Sequence, residues 1–297
     1  MADVSNIFQE GISKVRGAVS NVSVEQQGFI KAFVRLCSDG WLQGWHERNG
    51  GNLTYRMTPT EVAMCRSFFN EIPGAWILMG VQADNLRGEH FVATGAGNYM
   101  RNVCLEPAAA IGIVEINEAG DAWRIVWGFK DGGRPTSEFP SHFMCHAARK
   151  EVTNGACRVM YHAHPTAAIA LTFALPLDAR SISRVLWRSM PECVMAFPAG
   201  VGVVPFMVPG SIELARVTAS LMETHDVVLW AQHGLICSGA NFDAAFGLMH
   251  TIEKSAAIYA QACVVNGGPA FLQTITDNDL RAIATSLQLP LNEELLD

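Results

Sequence analysis

A chain of 297 residues, 49% of them apolar, can bury a sizeable core, and no linker-like stretch divides it, which favours a single domain. A formal net charge of −7 without any basic run excludes a general nucleic-acid binder, although it leaves room for a pocket that holds one small anion. The longest apolar stretch, Val194 to Val208, is broken by Pro198, Gly200, Gly202 and Pro205 and falls short of the ~20 residues of a membrane span.

From Val24 to Trp45 the apolar residues Phe29, Ala32, Phe33 and Leu36 recur at helical spacing and predict a helix. The run Asn49-Gly50-Gly51-Asn52 then marks a turn that tolerates positive φ, followed by a short strand over Leu53 to Met57. By itself this run reads more readily as an ordinary turn than as a binding loop. Residues 58–89 are turn-rich, with a short helix expected over Glu61 to Phe69. Phe91 to Thr94 predicts a strand leading into the loop Gly95-Ala96-Gly97, and Ile111 to Ile116 pairs with Trp123 to Phe129 as a hairpin.

Pro135-Thr136-Ser137-Glu138 opens a helix, with Thr136 or Ser137 as its N-cap and Glu138 in the first turn. Arg158 to Tyr161 forms a buried strand running into His162-Ala163-His164, after which Pro165 starts the helix Thr166 to Ala174. An amphipathic stretch covers Ile182 to Trp187. A strand over Gly202 to Val208 precedes a helix over Ser211 to Thr224, capped by Ser211. Val227 to Trp230 is a strand ending in Gln232-His233-Gly234, and Leu235 to Cys237 follows. Asn241 caps a long helix over Phe242 to Val265, and Asn278 to Leu287 ends the chain's regular structure. This alternation predicts an α/β layered fold.

The chemistry concentrates on the histidines. Residues two apart on a strand face one side roughly 7 Å apart, so His162 and His164 can converge on one ion. His233 ends a second buried strand, and three histidines with an open position describe a catalytic zinc site. An isolated His-x-His pair is also compatible with hydrogen-bonded core histidines, and Glu138 with a residue that merely complements a helix dipole. A carboxylate beside a metal-bound carbonyl can instead move a proton at the adjacent carbon. His46, His90 and His225 read as surface or loop residues. Lys14, Lys31, Lys130, Lys150 and Lys254 lie in polar or amphipathic settings, none desolvated as a Schiff-base lysine must be.

Taken together, Trp41-Leu42-Gln43-Gly44-Trp45, Glu47-Arg48-Asn49-Gly50-Gly51-Asn52-Leu53-Thr54, Thr94-Gly95, Arg101-Asn102-Val103, Pro135-Thr136-Ser137-Glu138, His162-Ala163-His164, Leu186-Trp187, Glu192-Cys193, Val208-Pro209-Gly210, His233-Gly234 and Phe246-Gly247-Leu248 resemble the zinc-dependent class II aldolases. Within them, the sequence is most similar to the bacterial rhamnulose-phosphate branch. The resemblance covers nearly everything after about residue 27.

It implies an extension over residues 1–24 and one aldolase domain over 25–297, a three-layer α/β/α fold on a mainly antiparallel sheet. It implies a homotetramer with sites at subunit interfaces, one zinc ion (Zn2+) per subunit, and cleavage of L-rhamnulose 1-phosphate to dihydroxyacetone phosphate and L-lactaldehyde. His162, His164 and His233 correspond to zinc ligands, Glu138 to the proton-shuttling carboxylate, and Glu192 to a glutamate acting in the neighbouring subunit's site. Asn49, Gly51, Asn52, Gly95, Ala96, Gly97, Thr136 and Ser137 fall around the substrate phosphate.

One departure stands out. The family's phosphate loop commonly reads Thr-Gly-Ser-Gly before a lysine, and here it reads Thr94-Gly95-Ala96-Gly97-Asn98, which removes a hydroxyl donor. A sister epimerase, dehydratase or ketose-phosphate aldolase, or a non-catalytic zinc-stabilised scaffold, remains an alternative. Eight cysteines scattered from Cys37 to Cys263 without a CxxC pair imply reduced thiols, and residues 1–39 carry no long apolar stretch behind a basic leader. A cytoplasmic enzyme with no membrane partner is the expectation.

Overall fold

The computed structural model describes residues 22–297, so the extension expected over residues 1–24 lies, up to residue 21, outside the described residues. In chain order the helices are α1 (Gly28–Leu42), α2 (Pro59–Cys65), α3 (Pro107–Ala110), α4 (Phe139–Val152), α5 (Thr166–Ala174), α6 (Ala179–Ser189), α7 (Glu192–Ala196), α8 (Ile212–Leu221), α9 (Phe242–Asn266) and α10 (Asp277–Leu287). The strands are β1 (Asn52–Arg56), β2 (Ile77–Leu78), β3 (His90–Thr94), β4 (Ile111–Ile116), β5 (Ala122–Gly128), β6 (Val159–Ala163), β7 (Gly202–Val204), β8 (Val227–Trp230) and β9 (Gly234–Gly239).

The strands form one nine-stranded sheet in the order β2-β5-β4-β3-β1-β6-β9-β8-β7. Every pairing is antiparallel except β7 with β8. Because successive strand residues point to opposite faces, the sheet feeds cores on both of its sides. Leu53, Tyr55, Val92, Val159, Tyr161 and Ala163 pack on one side with α1, α6 and α9. On the other face Phe91, Ala93, Val114 and Ile116 meet Phe139 and Phe143 of α4, while Met160, Val228 and Ile236 meet Leu214 of α8. The result is the α/β/α layering with a mainly antiparallel sheet that the resemblance implies.

Local signals explain most element ends. In α1 the residues Ile30, Phe33, Leu36 and Cys37 form the buried stripe. Asn241 caps α9 by accepting from the Ala244 amide, and Ser211 caps α8 by accepting from the Leu214 amide. The strand expected over Gly202 to Val208 stops at Val204, because Pro205 has no N–H to continue the ladder and Phe206 and Val208 are exposed. The helix expected over Glu61 to Phe69 is α2 followed by a 3-10 turn over Arg66–Phe68. Its start at Thr58 is fixed by a reciprocal capping box with Glu61.

Candidate active site and metal centre

Three strands bring the site together. Asn52 at the start of β1 is the register partner of His162 on β6, and Ile236 of β9 pairs with His162 from the other side. His162 therefore lies at the centre of the sheet, fully buried, and His164 follows one residue beyond the strand. His233 occupies the connection between β8 and β9, where Gln232 adopts the left-handed conformation with φ 57°. That uncommon backbone is held by Thr172 of α5: its hydroxyl accepts from the Gln232 amide at 3.0 Å, and its carbonyl accepts from the Gln232 side chain at 3.0 Å.

Two glycines allow the close approach. A Cβ on Gly234 would lie 2.3 Å from the Ala163 carbonyl and 3.0 Å from the His164 ring, so only glycine lets β9 pass this near the histidines. The left-handed residue before β9 is Gln232, not Gly234. Gly51, with φ 73°, would meet the His46 ring at 2.3 Å if it carried a Cβ.

One ring nitrogen from each of His162, His164 and His233 lies within 4.8 Å of the other two, so the three sequence-predicted histidines do converge. Their tautomers can be reasoned out. His162 Nδ1 donates to the Leu235 carbonyl at 2.8 Å and His164 Nδ1 donates to Glu47 Oε1 at 2.7 Å, and neither acceptor can donate in return. In the neutral rings both Nε2 atoms then present lone pairs, which face each other at 3.2 Å. Two neutral imidazoles cannot hydrogen-bond in that arrangement. Two nitrogens bound tetrahedrally to zinc at about 2.05 Å would be about 3.3 Å apart, so the spacing fits a shared cation. Burial pushes His162 well below the ordinary histidine range and His233 down to about 4, and each is further disfavoured as a cation by the neighbouring His164. Neutral rings are what a metal requires.

Glu138 completes the cluster. The expected N-cap at Thr136 or Ser137 is corrected: α4 begins at Phe139 and Glu138 is itself the N-cap residue, without a side-chain cap bond. Its carboxylate is thereby free to turn into the site, because the helix does not use it as a cap. Oε2 accepts from Asn52 Nδ2 at 2.7 Å and lies 3.5 Å from His162 Nε2, while Oε1 lies 3.8 Å from His233 Nε2. Burial raises its pKa, opposed by the Asn52 hydrogen bond and by His164.

These groups line a cleft of about 190 Å³ together with Asn49, Gly50, Gly51, Asn52, Gly95, Ala96, Gly97, Thr136 and Ser137. Every residue expected at the phosphate is therefore present at one cleft, and no lysine lines it. Among the described residues, the amides of Gly51, Gly97 and Ser137 have no acceptor within the protein. The Ala96 amide is spent on the Arg134 carbonyl at 2.9 Å, so it does not replace the missing serine hydroxyl. Larger cavities exist elsewhere, such as one of about 410 Å³ between Tyr259 and Phe271, but among the described residues no second group of three metal-ligating side chains converges.

Glu192, exposed at the start of α7, does not line this cleft. Of the histidines expected as surface or loop residues, His46 does lie in a loop but is buried, bonding the Tyr161 hydroxyl at 2.8 Å beneath the Gly51 turn, and His90 is buried at the start of β3, stacked on Phe69. His225 lies on the turn after α8, as expected for a loop residue. Sequence reasoning missed Glu47 and Gln232. Glu47 was visible only as part of a conspicuous run, and Gln232 only as the residue before His233.

The geometry has clear relatives. Residues 31–260 match the model of the class II aldolase and adducin N-terminal domain. The chain is 41% identical over 261 residues to the rhamnulose-1-phosphate aldolase of Salmonella paratyphi B, covering 88% of this chain and 94% of that protein. The rhamnulose-1-phosphate aldolase of Escherichia coli O1:K1 is 40% identical over the same coverage. Among solved structures, a sugar-phosphate aldolase from Thermotoga maritima superposes with a TM-score of 0.66 at 26% identity, over 78% of this chain and 94% of that one. An L-fuculose-1-phosphate aldolase from Thermus thermophilus shares the fold with a TM-score of 0.54 at 22% identity, over 81% and 97%. A family match across most of the sequence, relatives at 40–41% identity and a three-histidine cleft in the same fold agree: this chain belongs to the class II aldolase and adducin family.

Proposed function

We propose that the chain is an aldehyde-lyase that cleaves L-rhamnulose 1-phosphate to dihydroxyacetone phosphate and L-lactaldehyde. The convergence of His162, His164, His233 and Glu138 in one open cleft carries this reading. The identity to two rhamnulose-1-phosphate aldolases supports the sugar. A structural metal site would be closed, whereas here three ligands border a cavity.

The three histidines would hold a divalent cation, and we take zinc as that cation because the donors are neutral imidazoles. When bound, it supplies a Lewis acid for the negative charge that develops on the ketose oxygens. Glu138 has one oxygen fixed by Asn52 and the other unengaged, so Oε1 is the atom that returns a proton to the carbon of the departing enediolate. Its raised pKa suits a group that must carry that proton. The amides of Gly51, Gly97 and Ser137, with the side chains of Asn49, Thr136 and Ser137, would receive the phosphate at the N-terminus of α4.

Glu192 enters only through a second copy, since it does not line the cleft of its own chain. We assign it proton transfer at the aldehyde oxygen, within a homotetramer whose sites lie between subunits. Residues 25–297 form the aldolase domain in this reading, acting in the cytoplasm. No helix among the described residues is long and apolar enough to cross a membrane.

A coupled cleavage assay on L-rhamnulose 1-phosphate, L-fuculose 1-phosphate and the two unphosphorylated ketoses tests sugar and phosphate together. The expected result is preferred turnover of the first, abolished by chelation without loss of helical circular dichroism and restored by zinc. Unfolding on chelation would favour a zinc-stabilised scaffold instead.

A further inference from the structure

The turn that carries Asn49, Gly51 and Asn52 into the cleft is fastened to the metal-binding strand at three points. The His164 amide donates to the Trp45 carbonyl at 3.0 Å. His46, buried beneath the turn, reaches the Tyr161 hydroxyl at 2.8 Å with one ring nitrogen and the Gly50 carbonyl at 3.1 Å with the other. The third point is Glu47 Oε1, which accepts from His164 Nδ1 at 2.7 Å.

Of the three histidines, His162 is oriented by a backbone carbonyl that moves only with the sheet, and His233 Nδ1 is buried without a partner. Only His164 is oriented by a side chain that belongs to the substrate-facing turn. The Glu47 backbone also closes that turn, since its carbonyl accepts from the Gly50 amide at 2.7 Å, and Arg48 between them is left-handed at φ 48°. The Glu47 side chain is largely exposed, at 65% of its free area, so its contribution to folding is small. A purely structural role would not need a carboxylate there, whereas a metal-ligating imidazole does need its far nitrogen held.

We propose that Glu47 is a positioning residue that couples the two halves of the cleft. It fixes His164 with Nε2 directed at the cation, and through the same turn it makes cation binding and phosphate binding mutually strengthening. This rests on the reading of the cleft as a metal and phosphate-ester site. Linkage requires the effect to be reciprocal: zinc raises phosphate affinity by the factor by which phosphate raises zinc affinity.

The test measures zinc affinity by chelator competition, and inorganic phosphate affinity by calorimetry with and without zinc, for the wild-type protein and for Glu47→Ala and Glu47→Gln. Glu47→Ala should weaken zinc binding about 10- to 100-fold and remove most of the zinc-dependent gain in phosphate affinity, while the metal-free unfolding midpoint stays unchanged. Glu47→Gln, whose amide oxygen still accepts from Nδ1, should recover part of both. Equal zinc affinity in wild type and Glu47→Ala, or an undiminished zinc effect on phosphate in Glu47→Ala, overturns the assignment. Failure of the wild type itself to bind zinc would overturn the metal reading beneath it.

Discussion

Two groups of histidines lie along the same face of the sheet, and only one is arranged for chemistry. The outer group, His162, His164 and His233, borders the cleft with Glu138. The inner group is His142 and His146 of α4, both fully buried, and their nitrogens converge on the Thr54 hydroxyl at 2.8 and 2.9 Å. Residues 138, 142 and 146 form one stripe of the helix at four-residue spacing, and they face Asn52 and Thr54, two apart on β1. The difference is in what lies between the rings. A hydroxyl both donates and accepts, so it can bond one nitrogen of each imidazole at once, whereas the outer pair, as neutral rings, turns lone pair to lone pair across 3.2 Å, a spacing that suits a shared cation. Convergence of histidines alone does not mark a metal centre. Solvent access, fixed tautomers and an adjacent carboxylate do.

The strongest way to break this comparison is Glu138→Gln. We expect kcat to fall about 10²- to 10⁴-fold, with the unfolding midpoint near that of the wild type. A loss below tenfold in the cleavage assay would remove Glu138 from the proton step.

The inner group should respond in the opposite sense. Thr54→Val keeps the side chain's shape but strands two buried imidazoles, and should cost about 2–4 kcal/mol of stability while the folded enzyme turns over much as before. Urea denaturation beside initial rates checks this; a variant as stable as wild type would show that the hydroxyl bridge contributes nothing.

Proton linkage sharpens the contrast further. Burial pushes His142 down to about 3 and His146 well below the ordinary range, so both stay neutral in the fold while unfolded imidazoles protonate below about 6.5. The unfolded state then binds more protons, so the stability these residues contribute is complete above about pH 6.5 and is lost as pH falls toward 3. The slope is up to roughly 1.4 kcal/mol per pH unit for each ring. His142→Asn should flatten the decline between pH 7 and pH 5 in urea titrations; an unchanged slope would contradict a neutral buried His142.

The smallest expected change concerns the outer cleft's phosphate side. Ala96→Ser restores a hydroxyl where the amide is already committed to Arg134, and should lower KM for the phosphorylated ketose up to about tenfold, or about 1.4 kcal/mol. A KM that does not move would count against phosphate at that loop.

Much of the outer site was legible because its signals are local. His162-Ala163-His164 ends an apolar run, His233 ends another, and Asn49-Gly50-Gly51-Asn52 can only be a turn. Alternating apolar periods likewise predicted most strands and helices near their observed bounds. The inner pair carried no such mark, since His142 and His146 read as helix residues among others until Thr54, some ninety positions away, is placed opposite them.

The sequence by itself therefore determined most element types, the glycine turns and which histidines end the apolar strands, because propensity, periodicity and turn residues act over a few neighbours. Only the tertiary structure decided that Glu138 would be a free N-cap carboxylate, that Gln232 would turn left-handed against Thr172, and that His46 would lie buried under Gly51. Each depends on strand register across the sheet, such as Asn52 beside His162. Register is fixed by the simultaneous packing of both faces, which no short window of residues contains.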